Sequence, residues 1–142
     1  MSERPLQRIL YVDDEPDIRK VAKIALELVG KLTLCLCGSG EEALAQAEGF
    51  KPDLILLDVM MPGMDGPATL AALRGIESLA ATPVVFLTAK AQATEVQRYR
   101  ELGAVDVITK PFQPMQLPER LRAIWRALPD PEVAAVSIRR LL

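Results

Sequence analysis

Five short apolar runs recur along the chain, each followed by turn residues and then by apolar positions three and four residues apart. The runs are Arg8-Ile9-Leu10-Tyr11-Val12, Leu32 to Cys37, Asp53-Leu54-Ile55-Leu56-Leu57, Pro83 to Thr88 and Val105 to Thr109. Runs this short and this continuously apolar read as strands buried on both faces, as in a parallel sheet covered by helices. The segments between them read as helices. Glu15-Pro16-Asp17 opens the first, with Pro near the start and acid in the first turn. Its apolar stripe is Ile18, Val21, Ala22, Ala25, Leu28 and Val29, and Gly30 is expected to end it.

A second helix spans Glu41 to Glu48, with Ala43, Leu44 and Ala47 inward, and a third starts at Asp65-Gly66-Pro67 and reaches about Ile76. Ala93 to Leu102 forms a fourth, closed by Gly103, and the last runs from about Pro114 to Leu128 with a loose start around Pro118. Five strand–helix units in this order predict an α/β fold, a doubly wound parallel sheet with right-handed crossovers. At 142 residues the chain is one domain by size. Pro129-Asp130-Pro131 divides a unit of residues 1–128 from a C-terminal extension or linker over 129–142, where Val133, Val136 and Leu141 would line one side of a short helix.

Composition narrows the function classes. Net charge is −2, which offers no basic footprint for direct nucleic acid binding. No apolar run approaches the roughly eighteen residues of a membrane helix, and the N-terminus lacks the layout of a secretion signal; the expected location is cytoplasmic. Cys35 and Cys37 share one strand face, cannot readily meet disulfide geometry and have no histidine beside them for zinc. They are expected to be reduced packing residues.

The chemistry lies at the ends of the strands. Asp13 and Asp14 follow the first run and Asp58 follows the third. Parallel sheets bind ligands at the carboxyl ends of their strands, and three carboxylates converging there repel one another unless a cation joins them. Oxygen donors without His or thiolate favour a hard ion such as Mg²⁺. Thr88 ends the fourth strand, Lys110 follows the fifth, and Met61-Pro62-Gly63-Met64-Asp65-Gly66 makes a turn-rich loop just after Asp58. Each feature alone is commonplace: a strand-end Asp is often a cap, a strand-end Lys merely solvated. Their arrival in order at strands one, three, four and five is what carries information.

With Val12-Asp13-Asp14-Glu15, Leu57-Asp58-Val59-Met60-Met61-Pro62-Gly63-Met64-Asp65-Gly66, Leu87-Thr88-Ala89 and Lys110-Pro111-Phe112, the chain resembles the receiver domain of two-component response regulators over roughly residues 7 to 128. The resemblance implies a flavodoxin-like (βα)5 fold with strand order 2-1-3-4-5. It further implies that Asp58 accepts a phosphoryl group from a histidine kinase or phosphotransfer protein. Asp14 would bind Mg²⁺ directly together with Asp58 and the Met60 carbonyl, with Asp13 assisting through water. Thr88 and Lys110 would contact the phosphoryl oxygens, and the face of helix four, strand five and helix five would bind a downstream partner or form a homodimer. The protein would then be a signalling phosphoacceptor, an enzyme only toward its own phosphorylation and dephosphorylation.

One position departs from the family pattern. Three residues before Lys110, where many receivers carry a rotating Tyr or Phe, stands Val107, so a ring flip is not available. Two other classes compete with the phosphoacceptor. A binding module of the same fold needs no intact acid set, and a haloacid-type phosphatase would carry a second acid two residues after the nucleophile, where this chain has Met60. A flavin site fails for want of a Ser/Thr/Gly-rich phosphate loop after the first strand. Too few residues follow 128 for a helix-turn-helix, cyclase or kinase segment. The chain therefore reads as a stand-alone receiver or as one module of a longer protein.

Overall fold

In the computed structural model, which describes residues 4–129, the strands are β1 (Arg8–Val12), β2 (Thr33–Cys37), β3 (Leu54–Asp58), β4 (Val84–Thr88) and β5 (Asp106–Thr109). All neighbouring pairs are parallel, in the order β2-β1-β3-β4-β5. The helices are α1 (Pro16–Lys23), α2 (Gly40–Phe50), α3 (Gly66–Arg74), α4 (Ala93–Glu101) and α5 (Leu117–Ala127). The proposed extension over 129–142 lies, apart from its first residue, outside the described residues.

Alternation along the strands builds two cores. Leu10, Val12, Ile55, Leu57, Val84, Phe86 and Val107 face one side, where Ala43 and Ala47 of α2, Leu70 and Leu73 of α3 and Tyr99 of α4 cover them. Ile9, Tyr11, Leu54, Leu56, Val85, Leu87 and Ile108 face the other, against Ala22 of α1 and Leu121, Ile124 and Trp125 of α5. Every residue of β3 and β4 is buried, which is why these runs show no polar alternation in the sequence. The winding of the sheet reverses between β1 and β3, since α1 carries the chain outward to β2 and α2 brings it back past β1 to β3. That reversal opens a crevice beyond the ends of β1 and β3. Cys35 and Cys37 are free thiols packed on a single core. Burial and the neighbouring Cys35 push the Cys37 thiol pKa up, so it is un-ionised at neutral pH.

The first helix differs from its sequence stripe. After Lys23 it continues as a π-helix, Ile24–Val29, in which Gly30 N–H reaches back five residues to Ala25 O at 2.9 Å. Wider turns rotate later residues away from the face the α-period assigns them. Ala22, Ala25 and Leu26 are buried, whereas Leu28 and Val29, expected inward, are exposed together with Ile24; Val21, also expected inward, is exposed ahead of the π segment. Gly30 likewise does not make the left-handed turn; Lys31 does, at φ 58°. A side chain at Gly30 is excluded by packing instead, because a Cβ there would sit 2.9 Å from both Leu26 O and Pro118 Cβ. At the other end of the chain, residues 114–116 form turns before α5, and Pro118 falls in the first helical turn, where its missing donor costs nothing.

Candidate functional site

Asp13 and Asp14 leave β1, Asp58 ends β3, Thr88 ends β4 and Lys110 follows β5, all at the same edge of the sheet. Carboxylate oxygens of Asp13, Asp14, Glu15 and Asp58 lie within 4.8 Å of one another. Asp13 and Asp58 are buried, Asp14 half-buried and Glu15 exposed. The donor set is oxygen alone, with no nitrogen or sulfur ligand, and so suits a hard divalent cation.

Asp13 is held on all sides. Its Oδ1 accepts from the Glu15 backbone N–H at 3.1 Å, and its Oδ2 accepts from the Tyr11 hydroxyl at 3.1 Å and Lys110 Nζ at 3.3 Å. Its backbone carbonyl accepts from Arg19 Nη1 at 2.7 Å. Asp58 Oδ1 accepts from Met60 N–H at 3.3 Å and Oδ2 from Lys110 Nζ at 3.1 Å. Lys110 Nζ also pairs with Glu15 Oε1 at 3.0 Å. No hydrogen bond among the described residues engages the Asp14 carboxylate, which leaves its oxygens open to a ligand.

Burial and the adjacent Asp13 charge raise the Asp58 pKa to about 6, against the opposing pull of Lys110 and Met60 N–H. For Lys110, burial favours the neutral amine, but Glu15, Asp13 and Asp58 outweigh it and hold the ammonium above its ordinary range. Burial and Asp13 likewise keep the Tyr11 phenol protonated, so it acts as a donor.

Two close approaches shape the rim. Gly66 N–H bonds Val59 O at 2.9 Å, and a Cβ on Gly66 would stand 2.6 Å from Asp58 O, so only glycine lets α3 begin against the Asp58 backbone. Asp65 caps that helix, its Oδ1 accepting from Ala68 N–H at 2.9 Å. Thr88 does not join the acid cluster through its side chain; its Oγ1 accepts from Lys90 N–H at 3.1 Å. The loop after Thr88 borders a solvent-open cleft of about 510 Å³ lined by Ala89, Lys90, Ala91, Gln92, Glu95 and Thr109. Lys110 N–H bonds Thr88 O at 2.8 Å, tying the ends of β4 and β5 together.

The structure thus gathers Asp13, Asp14, Asp58 and Lys110 as the strand order requires, with Thr88 beside them at the same edge. It adds chemistry at two residues, Tyr11, which lies outside the motifs, and Glu15, which lies inside one without a role assigned to it. Tyr11 looks like one more apolar strand residue, and its only sequence signal is a hydroxyl in an otherwise aliphatic run. Glu15 looks like a first-turn helix acid, yet it reaches Lys110 across 95 positions of sequence.

Comparison with known proteins agrees with this geometry. Residues 9–122 match the model of the response regulator receiver domain. The chain is 39% identical over 132 residues to the DNA-binding response regulator MtrA of Mycolicibacterium smegmatis, covering 93% of this chain and 56% of that protein. It is 41% identical over 131 residues to the alkaline phosphatase synthesis transcriptional regulatory protein PhoP of Bacillus subtilis, covering 92% and 52%. The chain therefore spans about half the length of the curated relatives it matches. Among solved structures, Vibrio cholerae chemotaxis protein CheY4 superposes with a TM-score of 0.77 at 31% identity, over 84% of this chain and 98% of that one. The receiver domain of a Syntrophus aciditrophicus histidine kinase gives 0.73 at 34%, over 86% and 92%. Family model, curated relatives and fold agree, and the chain belongs to the response regulator receiver domains.

Proposed function

We propose that Asp58 is the phosphoacceptor, taking a phosphoryl group from a phosphohistidine of a histidine kinase or phosphotransfer protein. The observation that carries this reading is the convergence of a buried Asp58, the Asp13/Asp14 pair and the Lys110 ammonium at one strand edge. An Asp58 oxygen forms the new O–P bond as the N–P bond of the donor breaks, and the imidazole nitrogen leaves with the electron pair. Asp58 needs no general base, because the ionised carboxylate is itself the nucleophile. Asp14, Asp58 and the Met60 carbonyl would hold Mg²⁺, with Asp13 assisting, and the bound ion would offset the repulsion between Asp58 and the phosphoryl oxygens. Lys110 is placed to supply a second positive charge, and the Thr88 hydroxyl, once turned from Lys90 N–H, can donate to a phosphoryl oxygen.

In this reading the receiver occupies residues 1–128, works in the cytoplasm as a signalling domain and makes no direct contact with nucleic acid. Output runs through the face formed by α4, β5 and α5, to a protein partner or a second copy. Asp106 at the start of β5 ties this face together, bridging Arg100 of α4 at 3.2 Å and Arg120 of α5 at 3.7 Å.

Intact mass after incubation with acetyl phosphate tests the proposal. One phosphoryl adduct is expected, dependent on Mg²⁺ and absent in Asp58→Asn. An adduct that persists in that variant, or forms equally well in chelator, refutes it.

A further inference from the structure

An ammonium has three N–H donors, and Lys110 faces three carboxylates: Asp13 at 3.3 Å, Asp58 at 3.1 Å and Glu15 at 3.0 Å. A fourth acceptor at Lys110 must displace one of them. The three are not equally replaceable. Asp13 and Asp58 side chains are 0% and 3% exposed, so losing the lysine would leave a buried charge short of a partner. The Glu15 side chain is 56% exposed, and water can take the place of the lysine there at little cost. Glu15 is therefore the partner that leaves.

Resting on the phosphoacceptor reading above, we infer that Glu15 is a positioning residue that governs anion entry. It holds Lys110 on the acid cluster and yields it when a phosphoryl group comes to Asp58. Its charge thereby sets how readily the site admits anionic donors.

Charge counting gives the size and sign. Asp13, Asp14, Glu15 and Asp58, ionised, with Lys110 protonated, leave three net negative charges. A divalent cation reduces that to one, and neutralising Glu15 as well reduces it to zero. A unit charge several ångströms from an incoming anion, in a half-solvated site, changes affinity about three- to tenfold. Most of that change disappears in high salt. The same charge attracts the cation, so its removal acts on the two ligands in opposite directions.

The test is a pair of titrations on the intact chain at low and high ionic strength: Mg²⁺ alone by calorimetry, then beryllofluoride on the Mg²⁺-loaded protein. Glu15→Gln should weaken Mg²⁺ binding about two- to fivefold and tighten beryllofluoride binding about three- to tenfold, both effects shrinking in salt. Glu41→Gln, an exposed acid in the first turn of α2, should change neither by more than about twofold. Shifts of Glu15→Gln in the same direction for both ligands, no shift, or equal shifts in Glu41→Gln overturn the inference while leaving the phosphoacceptor reading intact. Wild-type protein that binds neither ligand overturns both.

Discussion

Lys110 Nζ and Asp58 Oδ2, 52 residues apart in sequence, meet at 3.1 Å where β3 and the end of β5 open onto the acid cluster. The contact draws Asp58 toward its ionised form, yet burial and the Asp13 charge prevail, and the Asp58 pKa stands near 6 rather than at its ordinary 3.8. The site is therefore electrostatically loaded in the absence of a cation. Folding takes Asp58 into a place where its charge is unwelcome, and the rest of the core carries that cost.

Stability of the metal-free protein should accordingly fall as pH rises. An acid whose folded pKa is raised binds more protons when folded, so its contribution is fully present below about pH 4 and is lost as pH passes through about 6. The shift corresponds to on the order of 3 kcal/mol at most. Urea unfolding in chelator should show this loss between pH 4 and 7 in wild type and a flatter profile in Asp58→Asn, which should also be the more stable protein at pH 7. A wild-type profile that rises through this window would contradict the assignment.

Asp14 should matter more than Asp13 for cation affinity, because Asp14 keeps its oxygens open while Asp13 is already engaged by Tyr11, Glu15 N–H and Lys110. Calorimetric titration with Mg²⁺ should show affinity falling at least tenfold in Asp14→Ala and less in Asp13→Ala. Asp14→Ala should be more stable than wild type in chelator, since it removes a like charge, whereas Asp13→Ala also leaves the buried Tyr11 hydroxyl and Lys110 short of an acceptor and should not gain stability. Full affinity in Asp14→Ala would refute the ligand order.

The switch should run through Thr88. Val107 is buried against the core that holds Phe86 and Tyr99, whose rings meet edge-to-face at 5.3 Å, and it has no ring to rotate. The Thr88 hydroxyl bonds the loop that borders the open cleft, so turning it toward a phosphoryl oxygen releases Lys90 N–H and lets that loop move. Amide shifts over residues 88–112 on adding beryllofluoride should largely vanish in Thr88→Ala and persist in Val107→Ala. The reverse pattern would assign the coupling to Val107.

Much of this protein is legible in its sequence. Runs such as Leu54-Ile55-Leu56-Leu57 are apolar without alternation because both faces of the sheet are covered, and that pattern survives in one dimension. The strand-end positions of Asp13, Asp14, Asp58, Thr88 and Lys110 were legible for the same reason: a strand's direction fixes which end its last residue occupies. Tertiary structure alone decided the rest. Whether Leu26 or Leu28 is buried depends on a change from α to π hydrogen bonding, and no local propensity announces it. Gly30 is required by the approach of Pro118, 88 positions away, rather than by its own backbone angle. The role of Glu15 exists only because β1 and β5, with β3 and β4 between them, end at the same edge of the sheet. Tyr11 meets Asp13 only two positions along the chain, a local contact, whereas Glu15, at the N-terminus of α1, gains its meaning from Lys110, which only the fold brings within reach.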